Sequence, residues 1–495
     1  MIFGGGRNML DALQKINDTV QNTLWGFPLL FVIIFAGIVT TVRTDFFQFR
    51  HPLHITAETI GGIVRSLRKR KNGEKSEITQ FQALCTALAA TIGTGNIAGV
   101  AAAICTGGPG AVFWMWVSAI VGMMTNFTEN VLGIYYRIKN ADGEWCGGAM
   151  YSLRGGVGNM RGCRFLGNAL AAAFAFFCMT ASLGMGNMVQ VNTMAQTMKV
   201  SFSVPPVFTG CLTAALVALV ILRGIKGIGS AAEKLVPFMA IGYTVGALAL
   251  VFVNRESLGD VFAAIFRGAF GMDAVCGGVF GTFLSKIVSM GFKRGIFSNE
   301  AGLGSSVTVH AASDVKEPVV QGMWGIFEVF ADTIVICTLT AAAILSSGVV
   351  DLSTGMMSTA VSFEGVDLVT YAFSGVFHKW SGAFISVTLL LFAFATVIGW
   401  SYYGVKAAEY LFGDRAVLPY KTVYVILSAV GAVMNVSAVW SISDTLNALM
   451  AIPNLIGVIL LSGTAAKITR NYAARKFGKS RVRPMLSAYD SYGKG

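Results

Sequence analysis

The sequence predicts an all-α polytopic membrane protein of eleven transmembrane helices, two inverted repeats of five preceded by one extra helix. Three observations lead there. Of 495 residues, 54% are hydrophobic and 13% charged, about half the charged share of an ordinary soluble domain. Eleven apolar runs of spanning length fall near 23–42, 81–105, 110–136, 166–198, 205–222, 235–253, 274–312, 319–346, 381–405, 421–437 and 443–466. The second and the seventh of these are interrupted by glycine clusters.

Residues 1–80 hold a weakly amphipathic segment (Met9–Thr23), the extra helix and a basic loop. No small-residue cleavage site follows the first apolar run, which therefore reads as a retained helix. Residues 81–255 form the first repeat. Its leading run contains AATIGTGNIAGVAAAIC from Ala89 to Cys105, with glycines at 93, 95 and 99 and an asparagine at 96. Glycine costs about 1 kcal/mol against alanine in a helix, so the stretch 93–96 reads as a helix interrupted halfway across the bilayer. Non-helical backbone at that depth has to be buried by protein or line a polar cavity. Close helix packing through Gly95 and Gly99, a GxxxG pair, is the alternative.

Residues 256–273 carry Ser257–Gly271, whose apolar positions recur near helical period and predict an interfacial helix on the outer side. Residues 274–468 form the second repeat. Its leading run is too long for one straight span and contains Gly291, Gly295, Gly302 and Gly304 around Phe297-Ser298-Asn299-Glu300. An odd number of spans per repeat makes the second copy enter from the opposite side, and in such folds substrate sits at the repeat interface near the midplane. Asp351–Lys379 is an acidic outer loop, either a cap over a vestibule or plain solvated chain. Residues 469–495 form a basic tail.

The net charge of +12 follows the loops: 28 of the 37 Lys and Arg lie in alternate loops and the tail, six on the other side, and three (Lys286, Lys293, Arg294) within the seventh run. That alternation puts the N-terminus outside and the C-terminus in the cytoplasm of a cell membrane. It is topological and implies lipid, not nucleic acid, as the surroundings. Eight cysteines without a CxxC pair, four scattered histidines, and no phosphate-cradling or nucleophile-elbow motif exclude ATP hydrolysis and covalent catalysis. No enzyme is predicted, and nothing in the pattern specifies an oligomeric state.

The motifs Gly93-Thr94-Gly95-Asn96-Ile97-Ala98-Gly99-Val100, Gly107-Gly108-Pro109-Gly110-Ala111 and Arg294-Gly295-Ile296-Phe297-Ser298-Asn299-Glu300-Ala301-Gly302-Leu303-Gly304-Ser305 resemble the alanine or glycine:cation symporter family, the sodium:alanine symporters. Gly186-Asn187-Met188 with Gln190 and Asn192, and Gly399-Trp400-Ser401-Tyr402-Tyr403-Gly404, resemble it too, and the match runs nearly end to end. The resemblance implies a LeuT-like five-plus-five inverted repeat and sodium-coupled uptake of alanine, glycine or D-alanine. Some members favour glutamine. No cofactor is implied beyond the co-transported sodium ion. The runner-up readings are the same fold carrying glutamine or coupled to protons, and a channel. A carboxylate beside the first break would favour protons; that segment has none, so sodium leads.

A zwitterion suits interrupted helices, whose freed N-H groups take a carboxylate while unwound carbonyls take an ammonium. Thr94, Gly95 and Asn96 are expected on one side of the ligand and Phe297, Ser298 and Asn299 on the other, with Asn96 capping the break as a second role. Gln190 is either a polar contact to the amino acid, as the resemblance implies, or an interhelical bond; Asn192 reads as the latter. Sodium is expected between the first break and run nine, on the Thr396 hydroxyl and carbonyls near Thr91 and Ile92. Thr396 bonding its own helix is the alternative. Arg294 and Glu300 bracket the second break, where they would neutralise one another or shape an ion path. With Glu129, Glu328 and Asp332 they are the intramembrane charges, gate or scaffold. Trp400, one turn from Thr396, is expected to face Phe297 across a pocket fit for a methyl group; an aromatic-belt position is the alternative.

Overall fold

The computed structural model describes residues 14–69, 78–140, 143–270, 280–355, 365–478 and 480–487. Parts of the basic loop (70–77), the link into run seven (271–279), part of the acidic loop (356–364), the short stretch 141–142 and the chain ends lie outside the described residues. The principal helices are α1 Gln14–Arg43, α2 Pro52–Lys69, α3 Gln80–Thr91, α4 Ala98–Gly107, α5 Gly110–Tyr135, α6 Arg164–Phe202, α7 Pro206–Ile221, α8 Gly224–Val253, α9 Leu258–Ala269, α10 Phe280–Asn299, α11 Pro318–Ser346, α12 Val366–Phe377, α13 Ser381–Phe412, α14 Val417–Gly431 and α15 Val436–Lys476.

A helix or helix pair thus occupies each apolar run. Seven helices among the described residues are long and apolar enough to cross a bilayer, and α3 with α4, bent by 56°, makes an eighth. The other three fall short for plain reasons. With 16 and 15 residues, α7 and α14 rise only about 24 Å against a hydrocarbon core of about 30 Å, and α10 carries Lys286, Lys293 and Arg294.

Local chemistry sets the boundaries that matter for the site. α3 begins at a capping box in which Thr79 and Gln82 exchange bonds of 3.1 Å, satisfying two N-H groups that a helix start would leave bare. α6 and α11 each widen into a π turn, Gly184–Met188 and Phe330–Cys337, a feature frequent at functional sites. A helix does form in the stretch expected to lie at the interface, α9, burying Val261, Ala264, Ile265 and Ala269. It rests on the start of α5, where the backbones of Gly110 and Gly268 approach too closely for a Cβ.

The loops sort into two ends. At one, Thr106, Ser201, Gly365 and Val436 line a single cavity of about 810 Å³. At the other, Arg475 at the end of α15 donates to both Glu317 oxygens at 2.9 and 2.7 Å, His54 meets the Tyr472 hydroxyl at 2.9 Å, and Arg137 bonds the carbonyls of Ala311, Ser313 and Val315. Segments after runs two, four, eight and ten share the first end. Those after runs one, three, seven and eleven share the second.

Candidate substrate and ion site

The first break is held open by side chains. α3 stops at Thr91, Gly93 is extended (φ −133°, ψ −152°), and Thr94–Asn96 make one tight turn before α4. The Gly93 N-H donates to Asn96 Oδ1 at 2.9 Å, and the Thr94 N-H to Gln190 Oε1 at 3.2 Å. Gln190 Nε2 in turn donates to the Met185 carbonyl, in the π turn of α6, at 3.1 Å. Gln190 therefore spends both ends on backbone released by two helix irregularities. Asn192 bonds the carbonyls of Gly431 and Met434 at 2.8 Å, the interhelical role expected of it.

Of the expected sodium ligands, the Thr396 hydroxyl reaches the Ala89 carbonyl at 3.0 Å and its own Phe392 carbonyl at 3.1 Å. The second is the bond to its own helix that was the alternative for this residue; the first reaches the end of α3 two residues before Thr91. The Thr91 hydroxyl turns back to Ala87 at 3.2 Å, and Ile92 forms the hinge into Gly93.

The second break follows Asn299. Glu300 takes φ +56°, rare for a residue with a Cβ, and Gly302 and Gly304 take +89° and +73°. Asn299 donates to Thr333 Oγ1 at 3.0 Å and accepts from the Ala301 N-H at 3.0 Å. The two breaks touch: a Cβ on Gly95 would stand 3.1 Å from Phe297 Cδ1 and 3.4 Å from Ser298 Cα. Asp332, on the π turn of α11, bridges them, accepting from Asn96 Nδ2 at 2.6 Å on Oδ1 and from Ser298 Oγ at 2.7 Å on Oδ2. Thr94, Gly95, Asn96, Gln190, Phe297, Ser298, Asn299, Thr396 and Trp400 are all buried.

Three expectations are corrected. A carboxylate does stand beside the first break, because α11 brings Asp332 against it from 236 residues away, and sodium is not favoured over protons on that ground. Arg294 and Glu300 do not neutralise one another, because the helix ends at Asn299 and the left-handed backbone of Glu300 carries its carboxylate away. Arg294 Nη2 pairs with Asp444 Oδ2 at 3.1 Å, beside Lys293 Nζ at 2.7 Å, while Glu300 accepts from Trp400 Nε1 at 2.7 Å and Ser305 Oγ at 2.5 Å. Nor does Phe297 face Trp400. Its ring stacks on Trp440 at 4.9 Å, with the Arg294 guanidinium over the same indole at 4.9 Å; Trp400 packs on Gly186 and edge-on to Tyr403. Glu129 is held by Asn454 and Glu328 by His310 at 3.0 Å.

Sequence reasoning missed Asp444 and Trp440. Trp440 and Arg294 line the large cavity, and Asp444 and Phe297 back them, the carboxylate on the guanidinium and the phenyl ring on the indole. α1 is tied to the same place: Gln21 Nε2 donates to Asp444 Oδ2 at 2.9 Å and Trp25 Nε1 to the Asp444 carbonyl at 2.8 Å. A buried Asp in run eleven, in a chain with a buried Lys-Arg pair, was the available signal.

A family model described as the sodium:alanine symporter family matches residues 10–486. The chain belongs to that family. The sodium/alanine symporter of Methanococcus maripaludis is 41% identical over 471 residues, 94% of this chain and 98% of that protein. A probable sodium/glutamine symporter of Bacillus subtilis is 33% identical over 480 residues, 96% of this chain and 94% of that protein. A putative sodium/proton-dependent alanine carrier of the same organism is 33% identical over 477 residues, 94% and 93%. Two solved structures share the fold: MhsT in complex with L-phenylalanine (TM-score 0.51, 12% identity, 80% of this chain and 99% of that one) and a sodium-coupled sialic acid symporter (0.52, 11%, 95% and 93%). The chain is thus a membrane transporter of a sodium-coupled family, not an enzyme, with a LeuT-like fold.

Proposed function

We propose that this sodium:alanine symporter family member couples inward sodium flow to uptake of a small neutral amino acid, alanine or glycine with D-alanine accepted, by alternating access. The observation that carries the reading is the meeting of two broken helices deep in the protein, Gly95 against Phe297 and Ser298, with polar groups on both. Eleven spans, with inverted repeats at 81–255 and 274–468, account for the two breaks and for the sorting of loops into two ends. The N-terminus of α4 offers N-H groups and a positive dipole end to the substrate carboxylate. Thr94, Asn96, Ser298 and Asn299 shape the polar side of the pocket, and Gln190 holds its backbone in place. Sodium binds between the Ala89 to Ile92 carbonyls and Thr396.

The cavity at Thr106, Ser201, Gly365 and Val436 is the outer vestibule, and Phe297, Trp440 and the Arg294–Asp444 pair form its closable floor. Trp400, one turn beyond Thr396 and bonded to Glu300 just past the second break, limits side-chain size there. The deciding experiment is uptake of labelled alanine, glycine and glutamine into proteoliposomes under an imposed sodium or proton gradient, run also with leucine competition on the Trp400→Ala variant. Sodium-driven alanine or glycine uptake, with leucine competing only in the variant, is expected; proton-driven or glutamine-only uptake overturns the assignment.

Orientation follows from the basic loops. A cysteine at position 480 should be labelled by an impermeant reagent only from the cytoplasmic side, and one at 365 only from outside. Reversed labelling at 365 would invert the scheme.

A further inference from the structure

We propose that Asp332 is the counter-charge for the substrate's ammonium group, and so a determinant of which solutes this site accepts; this rests on the amino-acid symport reading. Asp332 is fully buried and, with Cys337 Sγ one helical stretch on, meets both breaks through Asn96 and Ser298. Its oxygens accept three bonds, from Asn96 Nδ2 at 2.6 Å, Ser298 Oγ at 2.7 Å and Thr333 Oγ1 at 2.8 Å. All three donors are neutral. The buried basic groups around the site are engaged elsewhere: Lys293 and Arg294 with Asp444, His310 with Glu328 and Gln321, Arg137 with backbone carbonyls. A buried carboxylate bonded three times yet without a positive partner is an incomplete arrangement, because a buried charge is costly until it is paired.

The surroundings favour an ammonium over a metal ion. Asn96 turns its oxygen to the Gly93 N-H and presents its NH2 to Asp332, so that amide supplies no oxygen to a coordination shell here. The oxygen-rich place is across the break, where Thr396 meets the Ala89 carbonyl. An ionised carboxylate has about four lone-pair positions, and three accepted bonds leave one for an N-H of the ligand. In the same turn as Asn96 the Thr94 hydroxyl is buried without a partner among the described residues, a second polar group that a bound amino acid would satisfy. In this arrangement the ammonium draws α4, α10 and α11 onto one ligand, and a solute lacking it leaves Asp332 unpaired.

The test uses purified full-length protein in detergent at saturating sodium, with calorimetric titration of alanine, glycine, N-methylglycine and propionate. The parent should bind alanine and glycine, and propionate, which lacks the ammonium, about 100-fold or more weakly. Asp332→Asn should lose about 100-fold in alanine affinity, as truncating one partner of a buried charge pair does, with the half-saturating sodium concentration unchanged. Alanine affinity within threefold of the parent overturns the proposal. So does a variant whose sodium requirement rises while alanine affinity at saturating sodium stays the same, which would assign the carboxylate to the ion. Asp332→Glu keeps the charge should the neutral variant fail to fold: its extra methylene should change the glycine to N-methylglycine affinity ratio by about tenfold or more, and an unchanged ratio overturns the proposal. A parent that binds none of the amino acids indicts the underlying reading instead.

Discussion

Gly95→Val should reduce sodium-driven uptake to background while the protein still reaches the membrane and elutes as a single species. A Cβ at this position meets Phe297 Cδ1 at 3.1 Å and Ser298 Cα at 3.4 Å. The ring can shift, but the Ser298 contact is backbone. The two further methyls of valine would have to displace the second break itself. Backbone strain is not the cause, since Gly95 is not among the glycines at positive φ. Overpacking of this kind costs roughly 1–3 kcal/mol in a core, and here it falls between the two elements that must close on the ligand. Gly95→Ala, which adds only the Cβ, should keep part of the activity. Parental uptake rates for the valine variant would show that the breaks do not meet around substrate.

Both breaks were legible in the sequence because glycine in a helix is expensive, and a cluster of it amid apolar residues demands a reason. The neighbours of each break were only partly legible. Helical periodicity places Thr396 and Trp400 on one face, but says nothing of what that face meets; the indole meets Glu300, not Phe297. Asp332 was visible as an intramembrane charge, yet its direction was not. It sits in a π turn, and the extra residue of such a turn shifts the face by roughly 100° from the count that a 3.6-residue repeat gives. The base of the cavity failed for another reason. Arg294 and Asp444 are 150 residues apart, and the choice between Glu300 and Asp444 as partner is made by how α10 crosses α15, which no local pattern encodes. Asn192 was readable because a lone amide on an apolar face has few uses other than bonding the next helix.

Asp444→Ala should be the most destabilising single change at the base of the large cavity. Its Oδ2 receives Lys293 Nζ at 2.7 Å, Arg294 Nη2 at 3.1 Å and Gln21 Nε2 at 2.9 Å, with the carboxylate itself almost wholly buried. Removing one partner of a buried ion pair costs about 3–5 kcal/mol because the other charge is stranded, and here two cations would be stranded side by side. Their repulsion would push α10 away from α15, and with it the Phe297 ring off Trp440 and the guanidinium off the same indole. Thermal unfolding in detergent should therefore shift strongly, and uptake should fall because the floor no longer closes. Trp25→Phe is the contrast. It keeps the aromatic packing and removes one neutral bond, Nε1 to the Asp444 carbonyl, worth about 0.5–1.5 kcal/mol, so its shift should be a fraction of the other. If Asp444→Ala unfolds and transports as the parent does, Arg294 and Lys293 find other partners and the floor is not a latch. If the two variants are equally damaged, the contribution of α1 lies in packing and not in holding this charge in place.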